Sequence, residues 1–376
     1  MEFIPYHVQQ SAEIENYNQN GFIIRMKFLI IKPSSLGDVL HAFPAVHALC
    51  QAFPGSRADW LIHPAFQDLL DYMPCVDRRI LFRRKEMGTL KGFLREFPSF
   101  LRELRLEEYD AIIDLQGLLR SGIFSALCKS PIHAGPLNCK EKPARLFYNR
   151  KMIWQEQTRH ALEKNNEMIR NLFPDREFDF DFQLPVHPRA AESFRQLLGS
   201  YDASPEKKQG KKWIGIAPGA RWESKQWEPE FFARMICRMA EKQPDSQFVI
   251  FGSPNEENIA KTILAHTGNV PVINLAGQTS MTQLTEGIRA MDLFIANDSG
   301  PMHIAAAAGT PVAALFGPTR PDLTGPYTER KLIFQPQLTC IYCFKRYCVD
   351  TKCHRAIDPD EAAIQSLTLI KETNRS

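Results

Sequence analysis

The chain reads as α/β, built from two doubly wound domains that face one another across a cleft. Three observations predict this. Short apolar runs alternate with helical patterns from residue 26 to 198, and the same alternation restarts at residue 213. Between them, residues 199–212 (Gly-Ser-Tyr-Asp-Ala-Ser-Pro-Glu-Lys-Lys-Gln-Gly-Lys-Lys) are polar and turn-rich, as a linker would be. The 376 residues, 44% hydrophobic and 24% charged, suffice for two cores and exclude wholesale disorder.

Residues 1–25 are polar, rich in Gln and Asn and without periodicity, which predicts a mobile extension; Met26 is then an alternative start. Met26 to Lys32 has the continuous apolar character of a central parallel strand. Trp60 to Ile62, Ala111 to Asp114 and Phe178 to Leu184 read as further strands, with helices near 39–52, 64–72, 90–106 and 159–171. The second block, 213–358, opens with the strand Trp213 to Ala217. A helix near 229–242 follows, then strands at Phe248 to Phe251 and Val270 to Leu275 with helices near 255–266 and 281–290. Leu293 to Asn297 is a buried strand that runs through a tight turn into a helix of small residues, stopped by Gly309 before a last buried strand. A helix from Pro359 to about Lys371 and a short tail to 376 close the chain.

A net charge of +3 does not announce a nucleic-acid partner. No apolar run approaches the roughly 20 residues that span a bilayer, and residues 1–25 lack the apolar core of a signal peptide, so a cytoplasmic protein is expected. Nine cysteines, an odd number in that setting, argue for reduced thiols.

Chemistry is expected where strands feed loops at the cleft. Asp298-Ser299-Gly300 opens a helix with Pro301 at its first position, so unpaired backbone N–H groups converge where an anion could sit; Asp298 as a plain N-cap is the bland alternative. Lys32-Pro33-Ser34-Ser35-Leu36-Gly37-Asp38 joins strand to helix in the first domain, where Asp38 suits either a substrate-facing base or a first-turn carboxylate. Pro218 to Trp227 carries Arg221, Lys225 and two indoles, and Trp227 also suits an anchor. Gly252 with Glu256 offers a carboxylate to ribose hydroxyls. GxGxxG and Walker A sequences are absent, which disfavours dinucleotide redox chemistry and P-loop hydrolysis.

Ser34-Ser35-Leu36-Gly37-Asp38 together with Asn297-Asp298-Ser299-Gly300-Pro301-Met302-His303 resembles the family 9 glycosyltransferases, the ADP-heptose:lipopolysaccharide heptosyltransferases. Asp114 to Leu118, Leu146 to Lys151 and Lys225-Gln226-Trp227 resemble the heptosyltransferase I branch in particular. The resemblance runs from about Met26 to the C-terminus. It implies a GT-B fold and an inverting, metal-independent transfer of heptose from ADP-heptose to a Kdo hydroxyl of the lipopolysaccharide core. Asp38 matches the family's general base and Lys225 the lysine that neutralises the diphosphate. Asp298 matches a donor-sugar carboxylate, and Glu256 the ribose contact. Gly219, Ala220, Arg221, Ser299, Gly300, Pro301 and His303 complete the implied donor site. At Gly219 to Arg221 the chain departs from the hydroxyl residues of heptosyltransferase I, where the Arg221 guanidinium offers stronger donors.

The acceptor brings carboxylates and phosphates. Ser35, Gly37, Gln116, Arg120, Arg83, Arg84 and Lys85 are the expected acceptor contacts, and the cationic run from Arg78 to Lys85 continues to Lys91 and Arg95. That run also suits a solvated face, or a meeting with an anionic inner-leaflet surface. Asp179-Phe180-Asp181 is not expected to bind metal, because its alternation predicts a half-buried strand with its acids in water. Cys340, Cys343, Cys348 and Cys353, within a Cys-rich loop at 340–354, have the spacing of a structural zinc site. Reduced loop thiols and an adventitious disulfide suit them as well, and no cofactor is expected for catalysis. The alternatives are a family 9 enzyme with another nucleotide sugar or a later core acceptor, a GT-B-fold epimerase, and a non-catalytic sugar-nucleotide or zinc-binding protein.

Overall fold

The computed structural model describes residues 25–155, 160–201, 203 and 211–373. The expected extension, apart from Arg25, most of the linker and the last three residues lie outside the described residues.

The first unit holds β1 (Lys27–Ile31), α1 (Leu36–Leu40), α2 (Phe43–Ala52), β2 (Arg57–Ile62), β3 (Val76–Leu81), α3 (Leu90–Leu104), β4 (Ala111–Asp114), α4 (Leu119–Leu127), β5 (His133–Pro136), β6 (Arg150–Met152) and α5 (Ala161–Leu172). Its strands pair in parallel in the order β3-β2-β1-β4-β5-β6. After α6 (Pro188–Gly199) come β7 (Lys212–Ala217), α7 (Pro229–Lys242), β8 (Ser246–Ile250), α8 (Glu257–His266), β9 (Val272–Asn274), α9 (Met281–Arg289), β10 (Leu293–Asn297), α10 (Gly300–Ala307), β11 (Val312–Leu315), α11 (Pro321–Thr324), β12 (Lys331–Phe334), α12 (Lys352–Arg355) and α13 (Pro359–Thr373). The second sheet runs β12-β11-β10-β7-β8-β9, the same doubly wound order. In each sheet the order reverses beside the first strand, at β1/β4 and at β7/β10, and those switch points open the crevices where ligands bind.

Burial on both faces explains the unbroken apolar strands. Phe28 and Ile30 of β1 join one core while Leu29 and Ile31 join the other, and Phe294 and Ala296 of β10 are likewise split from Leu293 and Ile295. The outer strands gave little signal. β3 (VDRRIL), at one edge, has only Ile80 fully buried, and β5 (HAGP), next to the other edge strand β6, has no apolar run at all.

Four expectations are corrected. The helix expected at 39–52 is two helices, α1 and α2, because Pro44 lacks an N–H to continue the first and suits the opening turn of the second. Residues 64–72 form a 3-10 segment. Phe178 to Leu184 is no strand but an extended crossover. Phe178, Phe180 and Phe182 pack on the core, Asp179 and Asp181 stay exposed, and the Leu184 N–H donates to the Ala307 carbonyl at 3.1 Å. That crossover places the change of unit before α6, on the N-terminal side of residue 198. α6 packs on α9, with Phe194 stacked 6.1 Å from Phe251, so it belongs to the second unit.

Candidate functional site

The carboxyl ends of the central strands of both sheets line one cavity of about 1100 Å³. The first unit contributes Pro33 to Asp38, Phe82, Arg84, Lys85 and Arg120; the second contributes Gly219 to Trp222, Lys225, Glu256 and Asp298 to Pro301.

Asp38 sits at the third position of α1, behind the N-cap Ser35. Its Oδ2 accepts from the Ser35 N–H and the Ser35 hydroxyl, each at 2.8 Å, so its first-turn role and its place in the cavity coexist. Among the described residues Oδ1 has no hydrogen-bond partner. Beneath it lies a network that sequence reading missed. Lys32 is buried at the end of β1 and donates to the Leu115 carbonyl at 2.5 Å; burial lowers its pKa, against the pull of Asp38 and Asp114. Asp114 is fully buried, accepts from the Tyr148 hydroxyl at 2.5 Å and from the N–H groups of Gln116 and Gly117, and is raised by burial. Gln116 does not line the cavity. Its Oε1 accepts from the Ser34 N–H at 3.4 Å, which makes it a brace for the Asp38 loop rather than the expected acceptor contact.

Across the cleft, α10 begins at Gly300 with Ser299 as N-cap and Pro301 in second place, one residue earlier than expected. Asp298 therefore is not the cap. Its Oδ2 accepts from the Thr319 hydroxyl at 2.5 Å and from the Lys225 ammonium at 2.5 Å, a pair almost out of solvent. Among the described residues the Ser299 hydroxyl is buried without a partner, and Ser299, Gly300 and Pro301, at the positive end of α10, line the cavity. Lys225 also lies 4.6 Å over the Trp222 ring, whose other neighbour, at 5.4 Å, is the Arg346 guanidinium. Gly219 has a steric reason to be glycine, since a Cβ there would stand 1.7 Å from Glu256 Oε1. Glu256 is held by the Ser253 N–H at 2.5 Å, at the donor end of the cavity. Trp227 is an anchor: it is buried, and its indole donates to the His354 carbonyl at 3.0 Å.

The two halves meet through α1 and α10. A Cβ at Gly37 would meet His303 Cδ2 at 2.4 Å, and one at Gly300 would meet Leu36 Cδ2 at 2.9 Å. His303 lines the cavity but is nearly buried there, and its Nδ1 lies 3.1 Å from His41 Nε2, so it also joins the domains. His160 packs against His41 at 5.0 Å and reaches the Gly325 carbonyl at 3.1 Å. Burial pushes His41 well below the ordinary imidazole value and His303 to about 4. Only His303 of these three was expected in the site; a lone buried His41 or His160 carries no sequence signal.

The cationic run divides. Arg78 pairs with Asp59 at 3.1 Å and Arg79 with Asp71, so both are edge-strand ion pairs. Arg84 and Lys85 line the cavity with Arg120, whereas Arg83 is exposed outside it. Arg120 lies 5.7 Å over the Phe82 ring, its Nε buried without a partner. Burial lowers its pKa and the like charge of Arg84 adds to that, the arrangement of a pocket shaped for an anion.

The four clustered cysteines are free thiols, Cys340 and Cys343 exposed, Cys348 and Cys353 half-buried. Among the described residues no group of three or more His, Cys, Asp or Glu side chains is arranged to hold a metal ion. Left-handed backbone at Tyr342 and Phe344 flanks Cys343, which sits on the exposed side of the loop. The loop serves the site through backbone instead: the Ser224 hydroxyl donates to the Lys345 carbonyl at 2.6 Å, next to Lys225.

The model of glycosyltransferase family 9 (heptosyltransferase) matches residues 98–354, well over half of the chain. The sequence is 29% identical over 333 residues to lipopolysaccharide heptosyltransferase 1 of Pseudomonas aeruginosa, covering 86% of this chain and 87% of that relative. The solved E. coli heptosyltransferase WaaC with ADP superposes with a TM-score of 0.67 at 26% identity, over 82% of this chain and 92% of that one. E. coli ADP-heptose lps heptosyltransferase II gives 0.74 at 22% identity over 93% and 100%, a likeness of fold.

Proposed function

The chain belongs to glycosyltransferase family 9, and from that premise we propose that it is an inverting, metal-independent heptosyltransferase of lipopolysaccharide core biosynthesis, with ADP-heptose as donor and a Kdo hydroxyl as acceptor. The observation that carries the reading is the opposition, in one cavity, of a carboxylate on α1 to a cationic anion site at the N-terminus of α10.

The chemistry follows from that opposition. Asp38 accepts the proton of the acceptor hydroxyl through Oδ1, while Ser35 holds its other oxygen. The acceptor oxygen forms its bond to the anomeric carbon as the bond to the diphosphate breaks on the opposite face, which inverts the configuration. The negative charge that develops on the leaving ADP meets Lys225, Arg221 and the N–H groups of α10. Glu256 takes the ribose hydroxyls, and Phe251, Met281 and Leu284 offer the base an apolar wall. Arg84, Lys85 and Arg120 receive the acceptor's anionic groups. Because the proposed acceptor is lipid-anchored, the proposed place of action is the cytoplasmic face of the inner membrane, against an anionic leaflet. No metal is assigned to catalysis, and the thiols at 340–353 are assigned to the loop that braces Ser224 and Lys225.

The test combines binding and turnover. ADP should raise the melting temperature where UDP and GDP do not, and ADP-heptose with a Kdo-bearing lipid A acceptor should give a product heavier by one heptose. Asp38→Asn should keep ADP affinity and lose turnover by about a hundredfold or more. Preference for UDP or GDP would overturn the donor, and loss of ADP binding in Asp38→Asn would overturn the base.

A further inference from the structure

The apolar stripe of α3 runs past the body of the protein. Leu90, Phe93, Leu94, Phe97, Phe100 and Leu104 recur at helical spacing on one face, and Phe100 and Leu104 are buried in the core beneath the first sheet. The amino-terminal half of the same stripe has no such cover: Leu90 is 77% and Leu94 65% exposed, with Phe93 exposed beside them. This end is not a frayed terminus. Thr89 caps it, accepting from the Gly92 N–H at 3.1 Å, Phe93 stacks on Phe97 at 4.5 Å, and the turn at Glu86–Gly88 packs beneath. A Cβ on Gly92 would stand 1.9 Å from the Glu86 carbonyl, so the turn and the helix are in close contact. The neighbouring α4 exposes Leu119 and Ile123, and the 3-10 segment Lys142–Phe147 packed on it leaves Leu146 76% exposed. Phe124 against Phe100 and Gly122 against Phe147 tie these three elements together.

The charge around these apolar side chains is predominantly positive. Between residues 83 and 96 stand five cations and two carboxylates, Glu86 and Glu96, the latter paired with Arg95 at 2.7 Å, and exposed Lys140, Lys142 and Arg145, with Glu141 among them, stand near Leu146. The run is continuous with the cavity mouth, where Arg84, Lys85 and Arg120 sit.

We propose that this surface, the overhanging end of α3 with Leu119, Ile123 and Leu146, is the membrane-docking face of the protein, its leucines inserted among acyl chains and its cations on anionic head groups. The charge complementarity selects a lipid surface over an apolar protein partner. The inference rests on the proposed lipid-anchored acceptor only for its direction, since it lays the cavity mouth against the bilayer. Its test needs neither donor nor acceptor.

Wild-type protein should float with vesicles of phosphatidylethanolamine and phosphatidylglycerol, and far less with vesicles of phosphatidylethanolamine and phosphatidylcholine. Leu90→Ser/Leu94→Ser should lower the bound fraction on the anionic vesicles by at least about tenfold. The same variant should keep its melting temperature and its ADP binding. Lys91→Glu should weaken binding and make it less sensitive to salt. Equal flotation of wild type and the double leucine variant would overturn the proposal, as would a wild-type dimer that the double variant dissolves while neither form binds vesicles. If the vesicle result holds and no heptose is transferred, the docking face stands and the transferase reading fails; the converse outcome separates them the other way.

Discussion

Lys225 and Asp298 face each other at 2.5 Å in a nearly dry corner of the cavity, and a diphosphate must share or take over that lysine. Removing one partner of such a pair leaves an uncompensated charge, which costs more than removing both. Lys225→Ala should therefore weaken ADP by about tenfold or more, because a bare Asp298 then repels the diphosphate. Lys225→Ala/Asp298→Asn should recover part of that loss, and calorimetric titration of ADP into both variants measures it. Equal affinities in the two would mean that the pair has no bearing on the anion site. The sequence marked both residues and missed their pairing, since a loop after β7 and a turn after β10 meet only in three dimensions. Arg83, Arg84 and Lys85 looked alike in the sequence for the same reason, and the sheet edge and cavity wall decided which of them line the site.

The proposed base and the proposed anion site are spaced by two helices in contact. α1 carries Asp38, α10 begins at Ser299-Gly300, and they touch through Gly37 against His303 and Gly300 against Leu36. Such a contact holds base and leaving group at a fixed separation, and small displacements of well-positioned groups are costly to rate. Gly37→Ala would drive a methyl group to 2.4 Å from the His303 ring and push α1 away from α10. Its kcat should fall by about tenfold or more while ADP affinity, which the proposed donor site assigns to the second unit, stays within about twofold. Steady-state kinetics beside ADP titration checks this, and an unchanged kcat would show that the separation is not set there. The glycines were visible in the sequence as helix-opening residues. Their partners were not, because each is pressed by a side chain of the other domain.

The doubly wound order of both sheets was legible because central strands buried on two faces must be apolar throughout, whereas the edge strand β3, the short strand β5 and the crossover at 178–184 were misread or missed for want of an apolar run. What joins the units was not legible at all. His41 with His303, His160 with the Gly325 carbonyl, and the Tyr72 hydroxyl with Glu286 at 2.9 Å bridge the domains. His41 faces His303, His160 and Lys32; His303 faces Asp298, Asp38, His160 and Lys225. Burial holds both rings neutral, His303 down to about 4 and His41 well below the ordinary value. In the unfolded chain each titrates near 6.5, so between that value and the folded one the unfolded state binds more protons. Their stabilising contribution is therefore complete above about pH 6.5 and is lost as pH falls below it, for His303 until about pH 4, at about 1.4 kcal/mol per pH unit. Urea unfolding should show the midpoint flat from neutral pH upward and dropping steeply below about pH 6.5. His41→Phe, which keeps a ring in place and removes one titrating group, should flatten that drop. A midpoint insensitive to pH over this range, or a slope unchanged in His41→Phe, would mean that the two imidazoles stay reachable by solvent protons and that the domain junction opens freely.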